Sequence, residues 1–172
     1  MKKTNRELYK LYYCMRESVE QNLVYAATVT WCQKTIELDT KRYLVTVADA
    51  CIQMYVINWC KIFGAERNNP IHWKKYGIAE EDFFQKLQKD CGITKVDFDC
   101  CREAMMDFRN KYVAHTGDFD GVVPFLRISK DALVILDAML IDSDDELFGM
   151  LKDYIEPSAD NYNEISKRVI GK

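Results

Sequence analysis

Between Thr4 and Glu37 the apolar positions Leu8, Leu11, Tyr12, Met15, Val19, Leu23, Ala26, Ala27 and Thr30 recur at three- and four-residue steps, with polar side chains between them. That is the period of one long amphipathic helix. Asp39 and Thr40 break the pattern. A second helix is predicted from Tyr43 to Phe63, apolar on most sides as at the centre of a bundle, with Gly64 stopping it as a C′ glycine. The stretch GAERNNPIHWKKYGI carries Asn-Asn-Pro and two glycines and reads as a loop, with Ile71 and Trp73 folded back onto the core. Ala79 to Cys91 predicts a third helix, Phe83, Phe84 and Leu87 inward, ended by Gly92. A fourth begins near Lys95 or Asp97 and carries Phe98, Cys101, Met105, Phe108 and Tyr112 in one stripe as far as Thr116-Gly117. Ser129 is the expected cap of a fifth helix reaching about Ile141, Asp144 to Ile155 predicts a sixth, and Asp160 to Val169 a short terminal one.

Two long helices joined by a short connection pack antiparallel, so the expected architecture is an all-α, single-domain helical bundle built on a long antiparallel helix pair. No repeat, low-complexity tract or linker divides residues 1–172, a length suited to one domain. Composition agrees: 48% hydrophobic and 30% charged residues are globular, and 7 glycines with 3 prolines are few for the turns of an all-β fold. The N-terminus has two lysines but no continuous apolar run or cleavage site, which predicts a cytoplasmic protein. The long apolar stretch from Tyr43 to Phe63 is interrupted by Asp49, Gln53 and Asn58, the pattern of a buried helix rather than a membrane span.

Charge and cysteine usage narrow the chemistry. A net charge of -3 gives no protein-wide positive field for polyanions, so contact with nucleic acid must be local. The acidic run Asp142 to Glu146 reads as a solvated loop and helix start. Seven cysteines without a C-x-x-C pair, and only 2 histidines, predict reduced thiols packed as small hydrophobes, with no metal site and no cofactor. Phosphate-binding glycine loops are absent from the sequence. His72 has no acidic or nucleophilic partner at a usable spacing and reads as a loop histidine, beside Lys74 and Lys75, which keep an RNA contact open.

The candidate chemistry gathers in MMDFRNKYVAHTGDF, where Arg109 and Asn110 precede His115. On one α-helix Arg109 and His115 stand about 120° apart in azimuth and about 9 Å apart in rise, so a single chain makes a poor site. Two chains pairing their fourth helices antiparallel near Tyr112 bring Arg109 of each level with His115 of the other, with Phe108 and Tyr112 as the apolar contact. Such a cleft suits RNA cleavage by the neighbouring 2′-OH, which needs no metal. A guanidinium fork holds the phosphate, an imidazole moves protons near neutral pH, and Asn110 orients the histidine or bonds a phosphate oxygen. Arg102, one heptad before Arg109, and Lys111 extend the basic track for substrate. On spacing alone, a surface arginine and a helix-capping histidine remain the bland alternative.

The ten residues FRNKYVAHTG resemble the motif of the HEPN superfamily, an Arg followed by a polar residue and, a few positions on, a His, here with five residues between Arg109 and His115. The likeness extends to the whole chain only in outline, as a small all-α bundle with the motif late in a helix. It implies a metal-independent endoribonuclease acting as a homodimer, with Arg109, Asn110 and His115 catalytic, in toxin-antitoxin systems or abortive-infection antiphage defence, with an antitoxin protein as a partner. Gly117 stands where some members carry a tyrosine that such an antitoxin modifies. The alternative is a non-catalytic HEPN-like module that binds RNA, a nucleotide or a protein.

Overall fold

A computed structural model of the chain describes residues 5–113, 126–141, 147–149 and 151. Five α-helices follow one another: α1 Asn5–Lys34, α2 Leu38–Phe63, α3 Glu80–Cys91, α4 Lys95–Phe108 and α5 Leu126–Met139. A 3-10 turn, Trp73–Tyr76, lies between α2 and α3, and a π-helical turn, Arg109–Val113, continues α4. No strand occurs among the described residues, and the protein is all-α. None of the described helices is long and apolar enough to cross a membrane. The sixth and terminal helices expected from the sequence, and the acidic run Asp142 to Glu146, lie largely or wholly outside the described residues.

The frame is the α1–α2 hairpin. Cys32 meets the Lys41 carbonyl, Tyr25 feels the charge of Asp49, and Cys14 that of Lys61, so one number rises as the other falls and the helices run antiparallel. Leu8, Leu11, Met15, Val19 and Leu23 of α1 are buried at helical spacing against Ile52, Tyr55, Val56 and Trp59 of α2. Ala26 and Thr30, expected on the same stripe, are exposed.

The connection differs from expectation in its first turn. Asp39 and Thr40 do not break a helix; they open α2. The Glu37 carboxylate accepts from the backbone N–H groups of both, at 3.0 and 2.6 Å, and caps α2 in place of the usual short side chain. Gly64 ends α2 by a route other than the expected left-handed cap. Its φ is −74° and ψ −136°, and a Cβ there would lie 2.4 Å from the Cys60 carbonyl oxygen, so close approach rather than handedness demands glycine.

The other half of the core is aromatic. Trp59, Phe63, Trp73, Phe83 and Phe98 are all nearly inaccessible, with neighbouring ring centroids 4.5 to 6.3 Å apart. Trp73 reaches this cluster from the loop, as its sequence predicts, through the 3-10 turn. Gly92, at φ 70°, closes α3 in the left-handed conformation. A reciprocal cap then starts α4: Thr94 accepts from the Asp97 N–H at 3.1 Å and Asp97 accepts from the Thr94 N–H at 2.9 Å. Glu80 takes ion pairs from Lys74 and Lys95, tying the 3-10 turn, α3 and α4 together, and these two ammonium groups hold its carboxyl down at about 2.

Ser129, the expected cap of α5, lies inside that helix and is fully buried. Its hydroxyl bonds Tyr55 and donates to the Leu126 carbonyl at 3.1 Å, while its own carbonyl accepts from Trp59 Nε1 at 2.9 Å. It is a polar weld between α5 and α2. Of the cysteines, Cys14, Cys51, Cys60 and Cys101 pack as buried hydrophobes, Cys32 and Cys91 are half-buried, and Cys100 faces solvent, against the expectation of burial for all; no disulfide links them.

Candidate functional site

α4 spends its apolar stripe inside its own chain. Phe98, Cys101, Met105 and Phe108 are at most 2% exposed, and Tyr112 stacks on Phe108 with centroids 5.0 Å apart. Phe108, expected as an apolar contact between two copies, is therefore consumed by the core. Toward the C-terminal end of α4, Arg102 is half-buried and Glu103 and Asp107 are exposed, leading into the turn that follows.

At Arg109 the helix changes geometry. The backbone N–H of Arg109 forks between the carbonyls of Met105 and Met106, and the five residues Arg109–Val113 take the wider π-helical form. The azimuth expected between Arg109 and His115 assumed an unbroken α-helix, so it does not hold over this turn. His115 itself lies outside the described residues. The π turn is a place where a helix gives up an ordinary hydrogen-bond register, and such turns recur at functional sites.

Arg109 is half-buried, and its Nε and Nη2 both donate to Asn110 Oδ1, at 3.1 and 2.9 Å. No carboxylate pairs with Arg109 among the described residues. Its two basic neighbours differ. Lys111 pairs with Asp107 at 3.0 Å, and Arg102 pairs with Asp99 at 3.7 Å while contacting Met106 Sδ at 3.6 Å. The sequence reading brought Asn110 to His115 or to a phosphate; in the structure its carbonyl is turned to Arg109.

Arg102 and Arg109 share a side of α4, as their heptad spacing predicts, because both act on one thiol. Burial pushes Cys60 of α2 up to about 11, and the Arg109 and Arg102 guanidiniums oppose that rise. Two permanent positive charges thus border the C-terminal end of α2. Arg102 also lines a cavity of about 270 Å³ shared with Glu66, His72, Lys74, Lys95 and Asp99. A larger cavity, about 430 Å³, lies between the end of α3 and the start of α5 and contains none of the predicted site residues.

His72 is not the surface loop histidine that its neighbours suggested. It is 3% exposed, burial holds its pKa below the usual imidazole value, it bonds the Gly64 backbone, and its buried Nδ1 has no hydrogen-bond partner. A group this enclosed offers nothing to RNA. Its sequence gave no sign of burial because Asn69 sets the loop: the Asn69 side chain donates to the Lys61 carbonyl at 2.7 Å and accepts from the Ile71 N–H at 3.1 Å, turning His72 and Trp73 inward. Compared with protein-family models, with curated proteins and with solved structures, the chain matches none.

Proposed function

We propose that this protein is a metal-independent endoribonuclease that acts as a homodimer in toxin-antitoxin or abortive-infection antiphage defence, with an antitoxin protein as its partner. The observation that carries the reading is Arg109. It is a guanidinium whose fork rests on a neutral amide rather than on a carboxylate, on a π-helical turn, with Arg102 on the same side. An anion approaching this fork displaces an amide contact and breaks no ion pair among the described residues.

In the reaction the ribose 2′-OH attacks the adjacent phosphorus and the 5′-oxygen leaves, giving a 2′,3′-cyclic phosphate. Arg109 pairs two phosphate oxygens and stabilises the charge that grows on them. His115 accepts the 2′-OH proton, and the His115 of a second copy donates one to the leaving oxygen. Asn110, released from Arg109, takes a phosphate oxygen or the imidazole. Arg102 and Lys111 hold flanking phosphates. Because Phe108 is buried, the contact between copies draws on surface residues other than the stripe first expected.

The test is incubation with single-stranded RNA in EDTA. Cleavage leaving cyclic phosphate ends, with DNA spared, is expected. Arg109→Ala should lower the rate by about a hundredfold or more and His115→Ala should abolish it, each with an unchanged circular dichroism spectrum. A mixture of the two variants should recover part of the activity, since each mixed dimer brings one intact Arg109 to one intact His115 and so keeps the phosphate contact and one of the two proton transfers. Undiminished cleavage by folded Arg109→Ala protein would discard the assignment. A second reading, a non-catalytic RNA-binding module, is favoured by the Asn110 carbonyl already occupying the Arg109 fork. It is separated by wild-type protein that binds RNA through Arg109 and never cuts it.

A further inference from the structure

The first three turns of α1 carry a surface that the reading above does not use. Arg6, Tyr9, Lys10, Tyr13 and Arg16 fall within an arc of about 120° at 3.6 residues per turn, and no other position of the stretch from Arg6 to Arg16 shares it. All five are exposed. Tyr9 is 60% and Tyr13 51% exposed, while Leu8, Leu11 and Met15 on the opposite side are in the core. Glu17 and Glu20 return to the same arc and end its positive character, Glu20 by pairing with Arg16 at 3.9 Å.

Two features set this face apart from an ordinary solvated one. Tyr9 and Tyr13 stand one helical turn apart in a single arc, and adjacent exposed rings make a patch, whereas Tyr43 of α2, at 69% exposure, is an exposed ring standing singly. The paired rings also alternate with cations on a protein whose net charge is -3, so the local field is opposite to the global one. Tyr9 and Tyr13 are separated by about 6 Å of helix rise, the order of one nucleotide step in an extended strand.

We infer that this face of α1 binds single-stranded RNA, the tyrosine rings stacking on unpaired bases and Arg6 and Lys10 meeting the phosphates that flank them. Cations alone would accept any polyanion; adjacent exposed rings favour one with unpaired bases. An anionic membrane surface would ask for side chains that insert, and the arc holds no Leu, Phe or Trp. The α1–α2 hairpin is antiparallel, so this stripe lies at the end of the bundle where α2 meets Arg102 and Arg109. The surface stands on its own residues and does not require that the protein cleave anything.

The test is fluorescence anisotropy with a labelled 2′-O-methyl oligonucleotide, which has no 2′-OH nucleophile, so binding is read apart from cleavage. Wild-type protein should bind the single strand more tightly than a duplex of the same length. Tyr9→Ala with Tyr13→Ala should weaken binding by about tenfold or more, and the Phe pair should retain it, because stacking needs the ring and not the hydroxyl. Arg6→Ala with Lys10→Ala should flatten the slope of log affinity against log salt by about 1.4. An Ala pair that binds as wild type, equal affinity for duplex, no RNA binding at low salt, or binding to phosphatidylserine vesicles without RNA binding would each overturn the proposal. The Ala and Phe pairs leave Arg109 and His115 intact, so their comparison reads this face of α1 and not the site proposed above.

Discussion

Asp137 is a carboxylate where its charge is disfavoured. It is 2% exposed, its Oδ2 accepts from the backbone N–H groups of Gly149 and Leu151 at 3.0 Å each, and its Oδ1 has no partner. Burial raises its pKa, the two N–H donors pulling the other way. The folded state therefore binds a proton more readily than the unfolded chain. This contribution to stability is present below the ordinary carboxylate value near 4 and is lost as pH rises through the folded value. Asp137→Asn keeps an acceptor for both N–H groups and removes the titration. Urea midpoints measured at a series of pH values should show the wild type losing stability relative to this variant as pH rises above about 4, and a constant difference would contradict the sign. Glu80, Asp90, Asp97 and Glu37 are held below their usual values and tilt the curve the other way, which is why the comparison must be with the variant and not with pH alone.

At the scale of the element, Gly64 and Thr94 mark the two joints that aim the aromatic cluster. Replacing Gly64 by Ala drives a Cβ onto the Cys60 carbonyl, so α2 must end differently and the loop that seats Trp73 must move. A loss of about 1 kcal/mol or more is expected from the urea midpoint, larger than for an ordinary Gly→Ala exchange. Thr94→Ala, which removes a cap but creates no clash, should cost about 1 kcal/mol. The helices themselves were legible from periodicity, because each buries one face. Their ends were less so. Ser129 as a buried weld depends on Tyr55 and Trp59, far away in the chain, and Glu37 caps through donors only two and three residues on, yet neither residue type announces that role. The π turn is likewise invisible to a reading that assumes one residue spacing, and with it the pairing of Arg109 with Asn110. The cation-and-tyrosine face of α1 was present in the sequence all along; exposure of Tyr9 and Tyr13 is what separates it from the core stripe beside it.

For the whole molecule, the hairpin sets two environments: a half where α3, α4 and α5 close over α2, and a tip near Ile36 and Leu38 where apolar side chains stay in water at 98% and 61% exposure. The seven thiols sample both. Burial pushes Cys101 up to about 12 and raises Cys14, Cys51 and Cys60, whereas Cys100 faces outward next to Cys101 in the chain. An alkylating reagent therefore meets a built-in clock. Short exposure of the native protein to iodoacetamide at pH 8 should add one adduct at Cys100 first, with Cys32 and Cys91 later. The interior four should gain mass only when the bundle opens, and the order in which they do so ranks the opening of its parts. Immediate labelling of Cys101 in native buffer would mean that the α2–α4 seam is not closed.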